Sequence, residues 1–451
     1  MPSPLPVPGF LARLVPPTPL SRQLALQSML FSTGEGTFNT GSAVFLTQVV
    51  GMSAPKAGLA LTIAGLAQFV FAYPAGRVVD RFGPKRMWAT AAVGQAAGFL
   101  ALPFVHGFGQ YVVVALFVGL FDCLGENARH AYTLDVFEPK ERVETQAYMY
   151  SSLNVGFTLG ALLGGAALAF DSTEVIRWTP LVAVAMMLLN STFISRLPAA
   201  PHDLRVASGE ARVAPTTPSG WRNPGWIATT FFTGTMWTNQ ALLNVVIPLW
   251  LVEATDAPRV LLAWLFGTNT VLCIFLPAYT SRGVKDLRGA MRFVWISTGF
   301  FVGSCLITML THETVGWLTI FLVWLGHVTV TGAELAISGA SWMFQSDLMD
   351  PQRRGEYQGV SSVFQALGGR WAPALYTWLA ISVGDIGWLV IGAIAVVAAL
   401  GLSRSTVVAE RFARQHFPAD PAVPADPADP APPVANVEAP PVAGTQPTAL
   451  S

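Results

Sequence analysis

Charged side chains are scarce in this sequence. Asp, Glu, Lys and Arg together make up 12% of the 451 residues, which is about half their share in a soluble domain. Lys and Arg (26) equal Asp and Glu (26) in number, so the net charge says nothing about partners. Because 52% of the residues are hydrophobic and the mean hydropathy is +0.50, the composition excludes a soluble enzyme, a disordered scaffold and a nucleic-acid-binding protein.

Cysteine is also rare. Cys123, Cys273 and Cys305 each lie inside an apolar stretch, where cysteine behaves as a small buried apolar residue. We therefore expect no disulfide framework and no metal site. The first twenty residues carry one basic residue, Arg13, and lack the order of a signal peptide, so we expect the first apolar segment to be retained. Without a nucleophile–base pair, metal-ligand spacing or a phosphate loop, the sequence predicts no enzyme and no cofactor.

Long apolar runs, in contrast, recur along the chain. A helix needs about 20 apolar residues to cross a bilayer, and the pattern predicts an all-α membrane protein with twelve such helices, numbered here as spans 1 to 12. Spans 1 to 6 are predicted at 22–50, 57–79, 86–106, 110–134, 145–170 and 178–197. Spans 7 to 12 are predicted at 225–252, 259–280, 291–311, 315–345, 358–382 and 386–404.

The loops between these runs divide the chain into five parts. Residues 1–20 form an N-terminal segment, 21–197 a first six-helix bundle and 198–223 a polar, Pro-containing linker. A second six-helix bundle occupies 224–405, and an Ala/Pro/Asp-rich tail follows at 406–451. Such a tail cannot bury a core, so we predict that it is disordered.

Basic residues predict the orientation of the spans. With both termini in the cytoplasm, 21 of the 26 Lys and Arg residues fall in cytoplasmic segments, whereas the outer loops hold only Lys56, Arg177 and Arg259. This bias follows the positive-inside rule. We therefore predict a multi-pass protein of the cell membrane with both termini in the cytoplasm.

The two halves of the chain repeat each other. A shift of 212 residues superimposes five residues after span 4 on identical residues after span 10. The first copy is Asp135, Pro139, Arg142, Glu144 and Gln146, and the second is Asp347, Pro351, Arg354, Glu356 and Gln358. Repeats of six spans in the same orientation predict two bundles related by an axis along the membrane normal, with the substrate site between them.

The loop after span 2 carries a recognisable motif. Gly83 and Pro84 break the helix among clustered cations, which hold a loop on the cytoplasmic side. The motif residues are Gly76, Asp80, Arg81, Gly83, Lys85 and Arg86. This pattern resembles the Gly-x-x-x-Asp-Arg-x-Gly loop of the major facilitator superfamily, with Pro84 in the place of the first basic residue. The resemblance covers about residues 20–405 and implies a twelve-helix transporter.

The resemblance also assigns a gate. After span 4 the family has an Asp–Pro–Arg pattern, matched here by Asp135, Pro139 and Arg142. In the family an acid at this place pairs with the loop-motif cations and closes the cytoplasmic side. Asp80, Arg81, Asp135 and Arg142 are therefore gating candidates, with solvated loop charges as the alternative.

Span 5 contains glycines at intervals of four residues. Gly156, Gly160, Gly164 and Gly165 form a flat face on which another helix can pack closely. The stretch resembles the antiporter motif of exporters in this superfamily, with Ala161 in the place of a proline. Small-residue packing alone also explains it, so both interpretations stay open.

Ionisable residues at membrane depth are costly and indicate function. Glu35 lies near the middle of span 1, with Asn39 one turn further on the same face. An isolated carboxylate there can take up a proton or attract a cationic substrate. A structural hydrogen bond is the alternative.

Span 4 carries a second group. Asp122, Glu126 and Arg129 follow one face at steps of four and three residues. Glu126 and Arg129 can form an internal salt bridge, whereas Asp122 has no cation within one turn and is the better candidate for carrying a proton.

Spans 10 and 11 carry the repeat counterpart. Glu334 corresponds to Asp122, and His327 lies two turns before it, as a coupling residue or a hydrogen-bonded cavity residue. Arg370 in span 11 stays charged, so it must pair with an acid, for which Glu334 is the natural candidate, or bind an anion.

Span 7 is polar and aromatic. Trp237, Gln240 and Asn244 share one face, which suits lipophilic, often cationic ligands. Such residues also occur on helix surfaces that only face lipid or pack against other helices.

We predict proton-coupled export of lipophilic small molecules, drugs or natural products by a monomer, with protons, small-molecule substrate and lipid as partners and without nucleic acid. A proton-coupled importer of a metabolite, possibly anionic, is the first alternative. A non-transporting receptor on the same fold is a more remote one.

Overall fold

The first half of the chain folds into a bundle of long helices. The computed structural model describes residues 15–170, 172–210 and 216–417. Spans 1 to 5 are the helices Pro19–Val44, Ala54–Phe82, Pro84–Ala101, Phe108–Val136 and Pro139–Ala169. Span 6 consists of the short helix Thr173–Trp178 followed by Pro180–Arg196. Prolines open many of these helices because the first residue of a helix has no intrahelical partner for its N–H.

The second half contains six further spans, three of them interrupted. Span 7 comprises Pro224–Met236, Asn239–Ala241, the π-helical Leu242–Val246 and Ile247–Ala254, and span 8 comprises Leu261–Phe275 and Pro277–Thr280. Spans 9 and 10 are Leu287–Leu310 and Trp317–Leu348, span 11 is Arg354–Thr377 with the π-helical Trp378–Val383, and span 12 is Asp385–His416. The predicted all-α fold of twelve helices in two halves is confirmed.

Not all spans are equally apolar. Eight helices of the described residues are long and apolar enough to cross a membrane, and the bent pair of span 8 makes a ninth. The other three are spans 1, 7 and 11, and each contains a π-helical turn, at Phe45–Val49, Leu242–Val246 and Trp378–Val383. Because π-helical turns are rare overall but frequent at functional sites, these three spans are candidates for lining the site.

Glycines set the distance between spans 1 and 5. A side chain added at Gly156, Gly160 or Gly164 would meet the span 1 backbone, at Met29, Thr33 and Thr37 respectively. Gly165, in contrast, has open space beside it. Close packing of the two helices thus uses three of the four motif glycines.

One prediction about the ends of the bundles needs correction. Residues 406–416 belong to the helix of span 12 and not to a disordered tail, while 418–451 lie outside the described residues. The predicted linker contains a helix of its own, Pro201–Ser208, here called the linker helix. Its residues His202 and Asp203 contact Asp80, Lys85 and Asp135.

Candidate functional site

Asp80 of the loop motif binds the beginning of a helix in the other half. Its two carboxylate oxygens accept the backbone N–H groups of Gly355 at 2.8 Å and Glu356 at 2.7 Å. These amides lie in the first turn of span 11, where N–H groups lack intrahelical partners and favour a negative charge. Gly76 and Gly355 face each other at this crossing, and neither leaves room for a side chain.

The repeated motifs after spans 4 and 10 interlock. Asp135 forms an ion pair with Arg354 at 2.9 Å, and both side chains are buried. In the other direction, Arg142 donates to the carbonyl of Ser346 at 3.3 Å. The acid of the first repeat thus binds the arginine of the second. We call this side of the molecule, where spans 2 and 3, 4 and 5, and 10 and 11 are joined, the loop-motif end.

The linker helix joins the same contacts. The backbone N–H of His202 donates to Asp135 at 2.6 Å, and its imidazole Nε2 lies 2.7 Å from the carbonyl oxygen of Asp80. Burial lowers the pKa of His202. Asp203 accepts the backbone N–H of Lys85 at 3.1 Å, and burial raises the pKa of its carboxyl. Arg205 reaches the carbonyl of Pro351 in the second half at 3.4 Å.

The halves are therefore closed against each other at the loop-motif end. Most of the hydrogen bonds and ion pairs described above between the two bundles lie at this end, and Tyr150 and Glu334 form a further one deeper in the membrane. The predicted pairing of Asp135 with the loop-motif cations is wrong, because its partners are Arg354 and the linker helix. Arg81, Lys85 and Arg86 instead line an open cleft of about 1810 Å³.

Three membrane carboxyl groups lie within electrostatic range of one arginine. Glu35 of span 1 interacts electrostatically with Asp122, Glu126 and Arg129 of span 4. Glu126 makes no contact ion pair with Arg129 among the described residues, although the two charges attract. The structure thus places together four residues that the sequence distributes over two spans.

Asp122 has hydrogen-bond partners that the sequence did not suggest. Gln68 of span 2 and Gln95 of span 3 each donate to one of its carboxylate oxygens at 3.1 Å. Asp122 therefore faces neighbours in its own half. The only sequence signal for these partners was the presence of an amide side chain in an otherwise apolar span.

Glu334 connects the two halves inside the membrane. The Tyr150 hydroxyl of span 5 donates to one carboxylate oxygen, and Asn269 of span 8 donates to the other at 3.1 Å. The predicted pair of Glu334 with Arg370 is wrong, because Arg370 makes no hydrogen bond or ion pair within the described part of the chain.

Arg370 lies in a different place. It lines a cavity of about 420 Å³ between spans 2, 4 and 11. Glu126 lines the same cavity, together with the polar side chains of Gln68, Ser362 and Gln365. The cavity is therefore lined by one cationic side chain, Arg370, and one acidic side chain, Glu126.

The remaining predicted residues are dispersed. Trp237 donates from its indole to Ser341 of span 10 at 3.1 Å. Gln240 and Asn244 bind each other at 3.1 Å, and Asn39 is exposed. His327 is buried beside Phe266, and neither ring nitrogen has a hydrogen-bond partner among the residues that the structure describes.

Comparisons with known proteins give the family of this chain. The family model for the Major Facilitator Superfamily matches residues 24–373. Multidrug resistance protein MdtH of Yersinia enterocolitica is 22% identical over 359 residues, which cover 78% of this chain and 86% of that protein. The protein of the same name from Photorhabdus laumondii is 25% identical over 382 residues, with 80% and 88% covered.

Solved structures share the fold at low identity. A bacterial homologue of the iron transporter ferroportin, in an outward-facing state, superimposes with a TM-score of 0.65 at 13% identity and covers 88% of this chain and 100% of its own. The human organic anion transporter MFSD10 (TETRAN) gives a TM-score of 0.65 at 14% identity, with 85% and 98% covered. At such identities the likeness concerns the fold alone.

Proposed function

Because this chain belongs to the major facilitator superfamily, we propose that it exports lipophilic small molecules from the cytoplasm across the cell membrane in exchange for protons. The protein is a multi-pass membrane transporter and not an enzyme. Export, proton coupling and the orientation with both termini in the cytoplasm are parts of the proposal.

The group formed by Glu35, Asp122, Glu126 and Arg129 carries this proposal. Three carboxyl groups interact with one guanidinium at membrane depth, so full ionisation leaves an excess of two negative charges where water is scarce. Such an excess is costly. Binding of protons or of a cationic substrate relieves it, and the two then compete for the same carboxylates, which is the requirement for exchange.

The closed loop-motif end corresponds to one state of the proposed cycle. With this end in the cytoplasm, as the positive-inside rule indicates, the described state is closed toward the cytoplasm, and in the proposed cycle its carboxylates take up protons from the outside. Opening of the loop-motif end then exposes the carboxylates to the cytoplasm, where a proton is released and substrate binds. Each proton that moves inward yields about 2.3 kcal/mol per 100 mV.

The named relatives favour the same function. Two proteins called multidrug resistance protein MdtH cover at least 78% of this chain. Their names agree with a lipophilic substrate and with export, while the carboxylate group supports protons as the coupling ion.

The first experiment measures movement of rhodamine 123, a lipophilic fluorescent cation, in reconstituted vesicles with an acidic interior. Exchange predicts accumulation of the dye inside as protons leave. We expect Glu35→Gln and Asp122→Asn each to reduce gradient-driven uptake to the level of protein-free vesicles, because each removes a carboxylate that binds the proton.

Glu313→Gln is the matched control, since Glu313 is exposed in the loop between spans 9 and 10. It should leave uptake unchanged. Dye movement that ignores the pH gradient, or that survives both carboxylate substitutions, would contradict proton exchange.

Proton-coupled import of an anionic metabolite is the second candidate. Arg370 favours it, because this guanidinium lines the cavity and forms no ion pair within the described ranges. Vesicles separate the two functions, since an importer moves its substrate in the same direction as the proton.

A further inference from the structure

Arg370 is positioned by packing against a neighbouring helix and not by an ion pair. Its guanidinium packs against the span 2 backbone at Gly65, where a side chain carbon would overlap the guanidinium nitrogens. Among the described residues it has no hydrogen bond or ion pair, and it remains exposed toward the cavity. A guanidinium cannot lose its charge, so its five N–H donors are available to a bound anion.

The opposite charge on the cavity wall is also incompletely neutralised. Glu126 accepts no hydrogen bond among the described residues, and the cation acting on it, Arg129, is shared with Asp122 and Glu35. The remaining polar lining contributes amides, one hydroxyl and the thiol of Cys123. The volume of about 420 Å³ lies within the range of small-molecule sites, about 300–1,000 Å³.

We propose that this cavity binds zwitterionic substrates, with the cationic group at Glu126 and the carboxylate at Arg370. The inference rests on the proposed function and specifies its substrate class. A lone anion at Arg370 would be repelled by Glu126, and a lone cation at Glu126 would leave Arg370 without a partner. A molecule that carries both charges neutralises both walls.

This arrangement links substrate choice to the proton. The cationic group of the substrate and a proton compete for Glu126, so binding of one releases the other. Arg370 takes no part in that exchange, because its charge is constant, and it selects among substrates. Gly65 is then a positioning residue for Arg370.

Three xanthene dyes of similar size test the substrate class. Rhodamine 110 carries a cationic ring and a carboxylate, rhodamine 123 is its methyl ester and keeps only the cation, and fluorescein is an anion. Binding to the purified full-length protein in detergent is measured by fluorescence anisotropy. We expect rhodamine 110 to bind at least about tenfold more tightly than rhodamine 123, as a charge-assisted hydrogen bond would provide, and fluorescein to bind more weakly than rhodamine 110.

Substitutions assign the selectivity to Arg370. Arg370→Gln should weaken rhodamine 110 about tenfold and leave rhodamine 123 unchanged, which also shows that the variant is folded. Arg370→Lys should recover part of the preference, because lysine keeps the charge but lacks the planar fork. Gly65→Ala should act like Arg370→Gln by displacing the guanidinium. Arg292→Gln, an exposed arginine in span 9, is the control and should change nothing.

The outcomes separate this inference from the proposed function. Equal binding of rhodamines 110 and 123, or a preference that survives Arg370→Gln, overturns the zwitterion site and leaves proton-driven export intact. Binding of neither rhodamine, together with no gradient-driven movement of either in vesicles, overturns both.

Discussion

At the scale of single residues, the contact between Tyr150 and Glu334 decides how the halves meet inside the membrane. The hydroxyl belongs to span 5 and the carboxylate to span 10, so we expect the bond to oppose separation of the halves when the loop-motif end opens. The Tyr150 ring also packs edge-on against Trp342, 5.8 Å away. An intramolecular hydrogen bond stabilises by roughly 0.5–1.5 kcal/mol, enough to shift the balance between closed and open states by about two- to tenfold.

Tyr150→Phe tests this role because it removes the hydroxyl and keeps the ring. We expect a larger open population at the loop-motif end. Spin labels on Lys140 and Lys285, exposed residues in opposite halves at this end, report it as a longer distance in a cysteine-free background. Tyr111→Phe is the control, because the Tyr111 hydroxyl has no protein partner among the described residues. It should leave the distances unchanged. Unaltered distances in Tyr150→Phe would remove the pair from the gate.

At the scale of elements, the linker helix behaves as a part of the gate. Its residue His202 contacts both Asp80 and Asp135, the two acids that hold span 11. Tyr132 at the end of span 4 donates to the carbonyl of Pro198 at 2.9 Å, just before this helix. The helix therefore connects the loop motif, span 4 and the second half, although composition alone predicted a simple linker.

His202 gives the gate a pH dependence of known sign. Burial lowers the pKa of His202 in the closed state, whereas a hydrated ring titrates near 6.5. The open state thus binds the proton more tightly, and the closed state loses stability as the pH falls below about 6.5. Closed-state stability from this residue is fully present above that pH.

The same spin-label pair measures the effect between pH 8 and 5.5. We expect the open population to rise on acidification in the wild type and to rise less in His202→Gln, which cannot titrate. Asp203, whose pKa is raised by burial, titrates in both proteins, so the difference between them isolates His202. His106→Gln, at an exposed loop position, should retain the wild-type profile. Identical profiles in wild type and His202→Gln would exclude this histidine as the sensor.

At the scale of the whole molecule, the repeat produces a reciprocal lock. The Asp–Pro–Arg pattern occurs once in each half, and the acid of one copy pairs with the arginine of the other at Asp135–Arg354. Arg142 of the first copy donates in turn to the carbonyl of Ser346, which is the neighbour of Asp347 in the second copy. Two bundles with the same orientation bring these copies face to face, which explains why one short motif serves twice.

Charge exchange tests this lock. Asp135→Arg and Arg354→Asp should each open the loop-motif end and lower stability by about 3–5 kcal/mol, the usual effect of leaving a buried charge unpaired. The double variant should recover much of that loss, as measured by the spin-label distance and by thermal unfolding. Additive effects in the double variant would mean that the pair does not couple the halves.

Sequence alone determined the number of spans, the division into halves and the presence of acids at membrane depth. These properties follow from local composition, since hydropathy depends on neighbouring residues only. The repeat likewise showed that Asp135 and Arg142 have counterparts at Asp347 and Arg354. Their cross-pairing did not follow, because it requires the relative position of two bundles.

Only the tertiary structure decided the partners. Glu334 and Arg370 lie on consecutive spans, and yet Glu334 binds Tyr150 of the other half while Arg370 packs against Gly65. A side chain's partner depends on the rotation of its helix about the axis. Helix rotation arises from packing between segments distant in the chain, and hydropathy contains no record of it.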